Sequence, residues 1–216
     1  MSNYTTGEHR LSLAGPAGAL EAVLTMPDTV TTAGVFAVVC HPHPLQGGAM
    51  ENKVVSTLVR LCRDRGVPAL RFNFRGVGAS AGVHDEGVGE IDDLEAVLHW
   101  GQAELGGQAL WLAGFSFGSY IAAAGAARAV ALGLDVEHLV LVAPPVHHYP
   151  FASLRLPPAT VVVQGDADEV VPPAEVFAWV AGLVPPPRLI RLADCGHFFH
   201  GRLGELKAEL AAVLPG

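Results

Sequence analysis

The chain has 216 residues, of which 50% are hydrophobic and 16% are charged, and this composition is sufficient for one domain with a well-filled core. Its net charge is −8, and the absence of any Lys/Arg run argues against a nucleic-acid-binding surface. The three cysteines are scattered, the N-terminal segment lacks the apolar core of a signal peptide, and no apolar stretch reaches the roughly 20 residues of a membrane span. We therefore expect a single cytoplasmic domain over 1–216, with no membrane or nucleic-acid partner.

Apolar runs alternate with helical patterns along the chain, which predicts an α/β fold. The first two strands are separated by the Gly/Pro turn at 15–18 and are expected to form a hairpin, whereas the later strands connect through helices. The eight strands are predicted at 9–14, 19–26, 34–40, 67–74, 109–115, 138–142, 160–164 and 188–192. The five helices are predicted at 50–65, 90–104, 117–132, 173–183 and 199–213.

Residues 114–118 read Gly-Phe-Ser-Phe-Gly and lie between an apolar strand and an Ala-rich helical stretch. A strand, a sharp turn and a helix are the context in which a Gly-x-Ser-x-Gly sequence forms a nucleophile elbow. Because Gly114 and Gly118 have no side chains, the strand and the helix can close around Ser116 and leave its Oγ exposed above the sheet. Ser116 is therefore the predicted nucleophile.

A serine hydroxyl needs a base within hydrogen-bond reach and an acid that orients the base. The seventh predicted strand ends in an acidic turn with Asp166 and Asp168, and the eighth leads to His197, with His200 close behind. The carboxyl ends of parallel strands meet at one edge of a sheet, where such folds keep their sites. Both aspartates and both histidines are thus candidates for partners of Ser116.

The chain resembles the α/β-hydrolases, and among them the small lidless bacterial serine hydrolases with His-Pro-His-Pro-x-x-Gly-Gly and Gly-x-Ser-x-Gly motifs. Its matching segments, spread over almost the whole chain, are 41–48, 71–78, 114–118, 165–172 and 196–199. The resemblance implies Ser116 as nucleophile, His197 as base and Asp168 as the acid that orients it. The family's Gly-Asp-x-Asp pattern favours Asp168 over Asp166, which we expect to order the turn by binding backbone amides. The Gly-His step after the last strand favours His197 over His200.

An acyl-transfer site also needs two donors for the oxyanion of its tetrahedral intermediate. One donor is expected to be the backbone N–H of Phe117, the residue after the nucleophile. The second is expected from the loop after the third strand, where Pro42 and Pro44 have no N–H. His43 and Leu45 remain as candidates, and we favour Leu45.

Residues 143–159 are the link between the sixth and seventh strands, where hydrolases of this fold usually insert a lid. A link this short and rich in proline cannot form a multi-helix cap. The resemblance therefore implies an α/β-hydrolase fold with no cap domain: a mostly parallel eight-stranded sheet with helices on both faces. The candidate substrate-binding residues around the open site are His43, Met50, Phe115, Val146, Tyr149 and Phe198.

These residues together predict a carboxylic ester hydrolase that acts on small-molecule esters with short or medium acyl chains, through an acyl-enzyme. The same triad would serve an amide or peptide hydrolase, and a binding protein that has lost catalysis would keep the same fold. Neither an H-E-x-x-H helix nor a Cys/His ligand spacing is present, so no metal is expected. The glycines of 75–82 do not have the dinucleotide-binding spacing, so no nucleotide cofactor is expected either.

Overall fold

The computed structural model describes residues 4–31 and 33–214, which contain an eight-stranded sheet flanked by helices. The strands are β1 (Gly7–Gly15), β2 (Gly18–Met26), β3 (Val35–Cys40), β4 (Ala69–Phe72), β5 (Ala109–Phe115), β6 (Asp135–Val142), β7 (Thr160–Gly165) and β8 (Arg188–Leu192). The α-helices of these residues are α1 (Lys53–Asp64), α2 (Val88–Leu105), α3 (Phe117–Ala131), α4 (Pro173–Gly182) and α5 (Leu203–Ala211). Within the same two ranges, no helix is both long and apolar enough to cross a membrane.

The strand order is β1-β2-β4-β3-β5-β6-β7-β8. β1 pairs antiparallel with β2, and β2 pairs antiparallel with β4, whereas all pairs from β4 to β8 are parallel. The predicted hairpin and the mostly parallel α/β sheet are therefore confirmed. The parallel arrangement places the carboxyl ends of β3, β5, β7 and β8 at the same edge.

Two layers of helices bury the two faces of this sheet. Leu58 of α1 and Leu206 of α5 belong to the hydrophobic cluster on one face. Ile121 of α3 and Val176 of α4 belong to the cluster on the other, together with apolar residues of α2. β3 is apolar and buried along its whole length, as expected for a central strand covered on both sides.

Helix boundaries differ from the predicted ones where the backbone cannot continue a helix. The last helix was expected from residue 199, but it begins at Leu203 because Phe199 (φ 53°) and Gly201 (φ 72°) lie in the left-handed region. The first helix begins at Lys53, where the side-chain oxygen of Asn52 accepts the backbone N–H of Val54 at 2.9 Å and caps the helix.

The segment 143–159, where a lid would be inserted, lies wholly within the described residues. Its regular structure is one short 3₁₀ helix, Phe151–Ser153. The expected absence of a cap domain is therefore confirmed.

Candidate active site

Ser116 occupies the sharp turn between β5 and α3. Its backbone has φ 53° and ψ −123°, a region that residues with a side chain rarely adopt. A Cβ on Gly118 would lie 2.4 Å from the carbonyl oxygens of Cys40 and His41, and one on Gly114 would lie 2.1 Å from the carbonyl oxygen of Gly118. The two glycines of the motif are therefore required for close packing, and this packing holds the strained serine in place.

The side chains of Ser116, His197 and Asp168 form one hydrogen-bonded line. Ser116 Oγ lies 3.1 Å from Nε2 of His197, and Nδ1 of His197 lies 2.9 Å from Oδ2 of Asp168. His197 is only 3% exposed and Asp168 only 7%, so water competes little for these contacts. With Nδ1–H donating to the carboxylate, Nε2 is free to accept the hydroxyl proton, and the carboxylate can stabilise the resulting imidazolium.

The Asp168 carboxylate is held by further donors from its own turn. Its Oδ1 accepts the backbone N–H groups of Val170 at 2.9 Å and Val171 at 2.7 Å, and its Oδ2 accepts the side-chain Nε2 of Gln164 at 2.9 Å. Burial raises the pKa of this carboxyl, but the hydrogen bonds from His197 and the two backbone groups outweigh it, so the pKa lies below its ordinary value. Asp168 is therefore ionised at neutral pH.

Two contacts that support this line were missed by the sequence analysis. Gln164 is a polar residue that directly follows three valines in a fully buried strand, and that contrast was the available signal. Glu169 accepts the backbone N–H of His197 at 3.0 Å and so fixes the loop that carries the imidazole. Glu169 could not be found from the sequence, because nothing local connects it to a residue on the loop after β8.

Asp166 and His200, the alternatives to Asp168 and His197, have other contacts. Asp166 Oδ1 accepts the backbone N–H of Asp194 at 2.7 Å, so it binds a backbone amide as expected, but on the loop after β8 and not in its own turn. His200 is exposed, and its ring packs beside the ring of Phe198 with 5.8 Å between centroids. The structure therefore brings Asp168 and His197 to Ser116, and gives their neighbours contacts elsewhere.

Of the two backbone N–H groups expected to bind the oxyanion, that of Phe117 is free of a helical acceptor and that of Leu45 is already bonded. Phe117 is the first residue of α3, so its N–H has no acceptor within the helix. The N–H of Leu45, however, donates to Nδ1 of the His43 ring at 3.2 Å. This contact caps a short 3₁₀ helix and already uses the group that we favoured. Within the described residues, the backbone N–H of His43 has no hydrogen-bond partner.

A cavity of about 170 Å³ opens beside Ser116, below the roughly 300–1,000 Å³ of sites that enclose a drug-sized ligand. Its lining consists of His43, Gln46, Ser116, Phe117, Pro145, His147, His148, Tyr149, Val170 and Val171. Six of these ten are histidine, glutamine, serine or tyrosine, so polar as well as apolar side chains line the cavity. A larger groove of about 830 Å³ lies between α1 and the β1–β2 hairpin, but it holds none of the predicted site residues.

Two of the six candidate substrate-binding residues belong to the core. Met50 is 1% exposed and Phe115 is 0% exposed, so neither can form a wall of the cavity, and the expectation for both was wrong. The ring of Phe115 instead packs against the ring of His197, with 5.1 Å between their centroids. His43 and Tyr149 line the cavity, whereas Val146 is half-buried and does not. Phe198 is 48% exposed and lies beside the ring of His197.

The described part of the chain has no group of three His, Cys, Asp or Glu side chains that could hold a metal ion. His41 is engaged in the framework: its Nδ1 donates to the carbonyl oxygen of Pro42 at 2.6 Å, and its Nε2 accepts the N–H of Phe74 at 3.0 Å. Cys195, two positions before His197, is a buried free thiol whose pKa is raised by burial.

Comparison with known proteins places this geometry in a family. A family model described as alpha/beta hydrolase fold matches residues 45–159, more than half of the chain. The chain belongs to the α/β-hydrolase fold family. It is 41% identical to a serine hydrolase without a lid from Xanthomonas campestris, with a TM-score of 0.90 over 99% of this chain and 98% of that one. It is 44% identical to an α/β serine hydrolase homologue from Coxiella burnetii, with a TM-score of 0.89 over 99% and 100% of the two chains.

A sequence relative extends this group without adding a function. An uncharacterized protein of Rickettsia prowazekii is 39% identical over 165 aligned residues, and the match covers 73% of this chain and 66%, just under two thirds, of that protein. The similarity to lidless serine hydrolases over nearly the full chain supports hydrolysis as the chemistry of this α/β-hydrolase.

Proposed function

We propose that this α/β-hydrolase is a carboxylic ester hydrolase with Ser116 as its nucleophile. The observation that carries the proposal is the line from Ser116 Oγ through His197 to an ionised Asp168. Oγ attacks the acyl carbonyl while Nε2 of His197 takes its proton, and the same nitrogen then protonates the departing alcohol. A water molecule, deprotonated by Nε2, hydrolyses the acyl-enzyme and restores the serine.

The oxyanion of each tetrahedral intermediate is bound by two backbone N–H groups. We assign them to Phe117, at the start of α3, and to His43, on the loop after β3. His43 replaces Leu45 because the Leu45 N–H is bonded to the His43 ring. Loss of one such donor commonly lowers kcat by about 10²–10³-fold.

We infer that the cavity beside Ser116 encloses the acyl part of the ester and that this acyl group is short. Its volume of about 170 Å³ suits an acetyl-to-butyryl group better than a long chain. No cap covers the carboxyl edge at 143–159, so the alcohol part extends into open space and its size is unrestricted. The substrate class is therefore short-acyl esters of small or large alcohols.

The test uses a fluorophosphonate probe and 4-nitrophenyl acetate, butyrate and decanoate, with Ser116→Ala as the matched variant. We expect stoichiometric labelling of the wild type, turnover of the acetate and butyrate above that of the decanoate, and loss of both signals in Ser116→Ala. Folded wild-type protein that shows neither labelling nor turnover would exclude the proposal. Labelling accompanied by faster cleavage of aminoacyl-naphthylamides than of the esters would replace it with an amide hydrolase.

A further inference from the structure

A second carboxylate–imidazole pair lies beside the site, formed by His84 on the loop before α2 and Glu90 in the first turn of α2. Nδ1 of His84 lies 2.8 Å from Oε1 of Glu90; the Glu90 side chain is fully buried and that of His84 is 5% exposed. The same carboxylate accepts the backbone N–H groups of Asp85 at 2.9 Å and Gly87 at 2.8 Å. Three hydrogen bonds therefore fix Glu90, and through it the orientation of the His84 ring.

The His84 ring contacts both residues to which we assign the oxyanion donors. Its centroid lies 4.8 Å from that of the His43 ring and 5.6 Å from that of Phe117. The rings of His43 and Phe117 are themselves 5.2 Å apart, so the three rings form a closed triangle. The position of the His84 ring therefore limits the positions open to the His43 and Phe117 side chains, next to the proposed oxyanion hole.

His43 is the member of the triangle whose backbone needs this support. Phe117 is fixed by the close-packed serine turn and by α3, whereas His43 lies outside any regular strand or α-helix. The His43 carbonyl oxygen accepts the N–H groups of Gln46 at 3.1 Å and Gly48 at 3.0 Å, and Nδ1 of its ring accepts the N–H of Leu45 at 3.2 Å. All three donors lie on the same short loop, so the contacts with the His84 and Phe117 rings are what ties the His43 side chain to the rest of the site. A displacement of about 1 Å is enough to weaken an oxyanion contact severely.

The pair is poorly suited to stabilising the fold alone. A buried ion pair or carboxylate–imidazole pair is often no more stabilising than apolar side chains of the same size. Nε2 of His84 is buried with no hydrogen-bond partner in the described residues. The carboxylate oxygen Oε1 of Glu86 lies 3.8 Å away, which is too far for a hydrogen bond. An unsatisfied buried nitrogen destabilises the folded state. Stability alone therefore does not account for an imidazole at this place.

We propose that His84 and Glu90 are positioning residues for the oxyanion hole, in which Glu90 fixes the His84 ring and the ring holds His43. This inference rests on the function proposed above. The pair touches no reacting atom; it acts through His43, whose N–H must meet the oxyanion when the tetrahedral intermediate forms. Its loss is therefore expected to weaken transition-state binding and to leave substrate binding nearly unchanged.

The experiment compares Glu90→Gln and His84→Ala with a control variant on the same helix, Asp93→Asn. Asp93 is also fully buried, and it binds Arg75 through a 2.8 Å side-chain ion pair and a 2.9 Å backbone hydrogen bond at the start of the same loop. For each variant, kcat and KM for 4-nitrophenyl acetate, Tm, and Ki for a trifluoromethyl ketone would be measured. The ketone forms a hemiketal oxyanion on the serine and so reports on the oxyanion hole.

We expect kcat of Glu90→Gln and His84→Ala to fall by about 10- to 100-fold, with KM changed by less than about threefold. Ki for the ketone should rise by the same factor by which kcat/KM falls. Asp93→Asn should lower Tm and leave kcat/KM within about threefold of the wild type. If Asp93→Asn lost as much activity as Glu90→Gln, or if the ketone bound all variants equally, the positioning role would be wrong.

A double variant, His84→Phe/Glu90→Gln, keeps the inference testable if the single variants do not fold. Phenylalanine fills the space of the imidazole without a buried unsatisfied nitrogen, and the glutamine oxygen can still accept a backbone N–H of Asp85 or Gly87, while the hydrogen bond that anchors the ring is lost. We expect a folded protein with the same loss of kcat; wild-type kcat in this variant would contradict the proposal. Wild-type protein that is neither labelled by fluorophosphonate nor active would instead exclude the esterase itself.

Discussion

The two carboxylate–imidazole pairs of this protein have nearly the same geometry but different surroundings. Nδ1 lies 2.9 Å from the carboxylate in His197–Asp168 and 2.8 Å from it in His84–Glu90. The first pair joins residues 29 positions apart on two loops at the carboxyl edge of the sheet, whereas the second joins residues six positions apart at the start of one helix. Nε2 meets Ser116 Oγ in the first pair and has no partner within the described residues in the second. The two pairs are therefore distinguished by the group that Nε2 faces. In His197, the proposed base, it faces Ser116 Oγ, whereas in His84, the proposed positioning residue, it does not.

The pairs also contact the serine turn from opposite sides of the sheet. The ring of His197 packs on Phe115, which belongs to the cluster under α1 and α5. The ring of His84 packs on Phe117, which belongs to the cluster under α2 and α3. The two phenylalanines of Gly-Phe-Ser-Phe-Gly thus link Ser116 to one imidazole on each face. In the roles proposed above, the imidazole of His197 moves a proton and that of His84 holds the groups that bind the resulting charge.

The largest effect expected from this contrast is that of Asp168→Asn on kcat. An amide at this position can donate to Nδ1 of His197, which would leave the ring in the tautomer whose Nε2 carries a proton and cannot accept one from Ser116. We expect kcat for 4-nitrophenyl acetate to fall about 10⁴-fold at neutral pH, with the fold and Tm largely retained. Steady-state kinetics of the purified variant would measure this.

The matched comparison is Glu90→Gln, for which the expected loss is about 10- to 100-fold. A loss in Asp168→Asn no larger than the loss in Glu90→Gln would show that the two pairs do not differ in role. The same result would remove Asp168 as the acid of the proposed triad.

The strands and the serine turn could be predicted from the sequence because their signals are local. Gly114, Ser116 and Gly118 stand at fixed spacing between a strand and a helix, and the packing at Gly118 confirms why no side chain fits there. The carboxyl ends of β7 and β8 could be placed beside Ser116 because parallel strands align their ends. Asp168 and His197 follow from that topology together with the family motifs.

The burial and the contacts of single side chains could not be predicted in the same way. Phe115 ends a strand that is buried on both faces, so no alternation of polar and apolar residues shows which way it points. The N–H of Leu45 is used by a side chain two positions before it, which no backbone pattern reveals. His84 and Glu90 are separated by a loop residue in the left-handed region, Glu86, and match no motif. Their pairing depends on how that loop closes on α2.

His41 is a third buried imidazole, and among residues 4–31 and 33–214 it has no carboxylate partner. Its burial makes the free energy of unfolding depend on pH. Burial lowers its pKa from 6.5 to about 4, against a smaller opposing effect of its bond to the Pro42 carbonyl. As pH falls, the unfolded chain therefore binds a proton on this residue before the folded chain does. The contribution of neutral, buried His41 to the free energy of unfolding is complete above pH 6.5 and is lost as pH falls towards about 4.

We expect this residue alone to lower the free energy of unfolding by about 2 kcal/mol between about pH 7.5 and pH 5. Urea unfolding at several pH values would measure the effect, with His41→Gln as control. Glutamine cannot titrate, and its amide oxygen can still accept the N–H of Phe74. The pH dependence of the variant should be flatter than that of the wild type by the same amount. Parallel curves for the two proteins would show that His41 is not the titrating group.

The smallest expected effect is that of Asp166→Ala, which tests whether proximity to the site is enough to make a carboxylate essential. Asp166 lies two positions before Asp168, but its Oδ1 accepts the backbone N–H of Asp194, a residue with φ 50° on the loop that leads to His197. Removal of that acceptor should lower the free energy of unfolding by about 1 kcal/mol and kcat by less than about threefold. Urea unfolding and steady-state kinetics would measure both. A loss of kcat near that of Asp168→Asn would mean that the acid of the site is shared by the two aspartates, and that the line to Asp168 alone does not explain the chemistry.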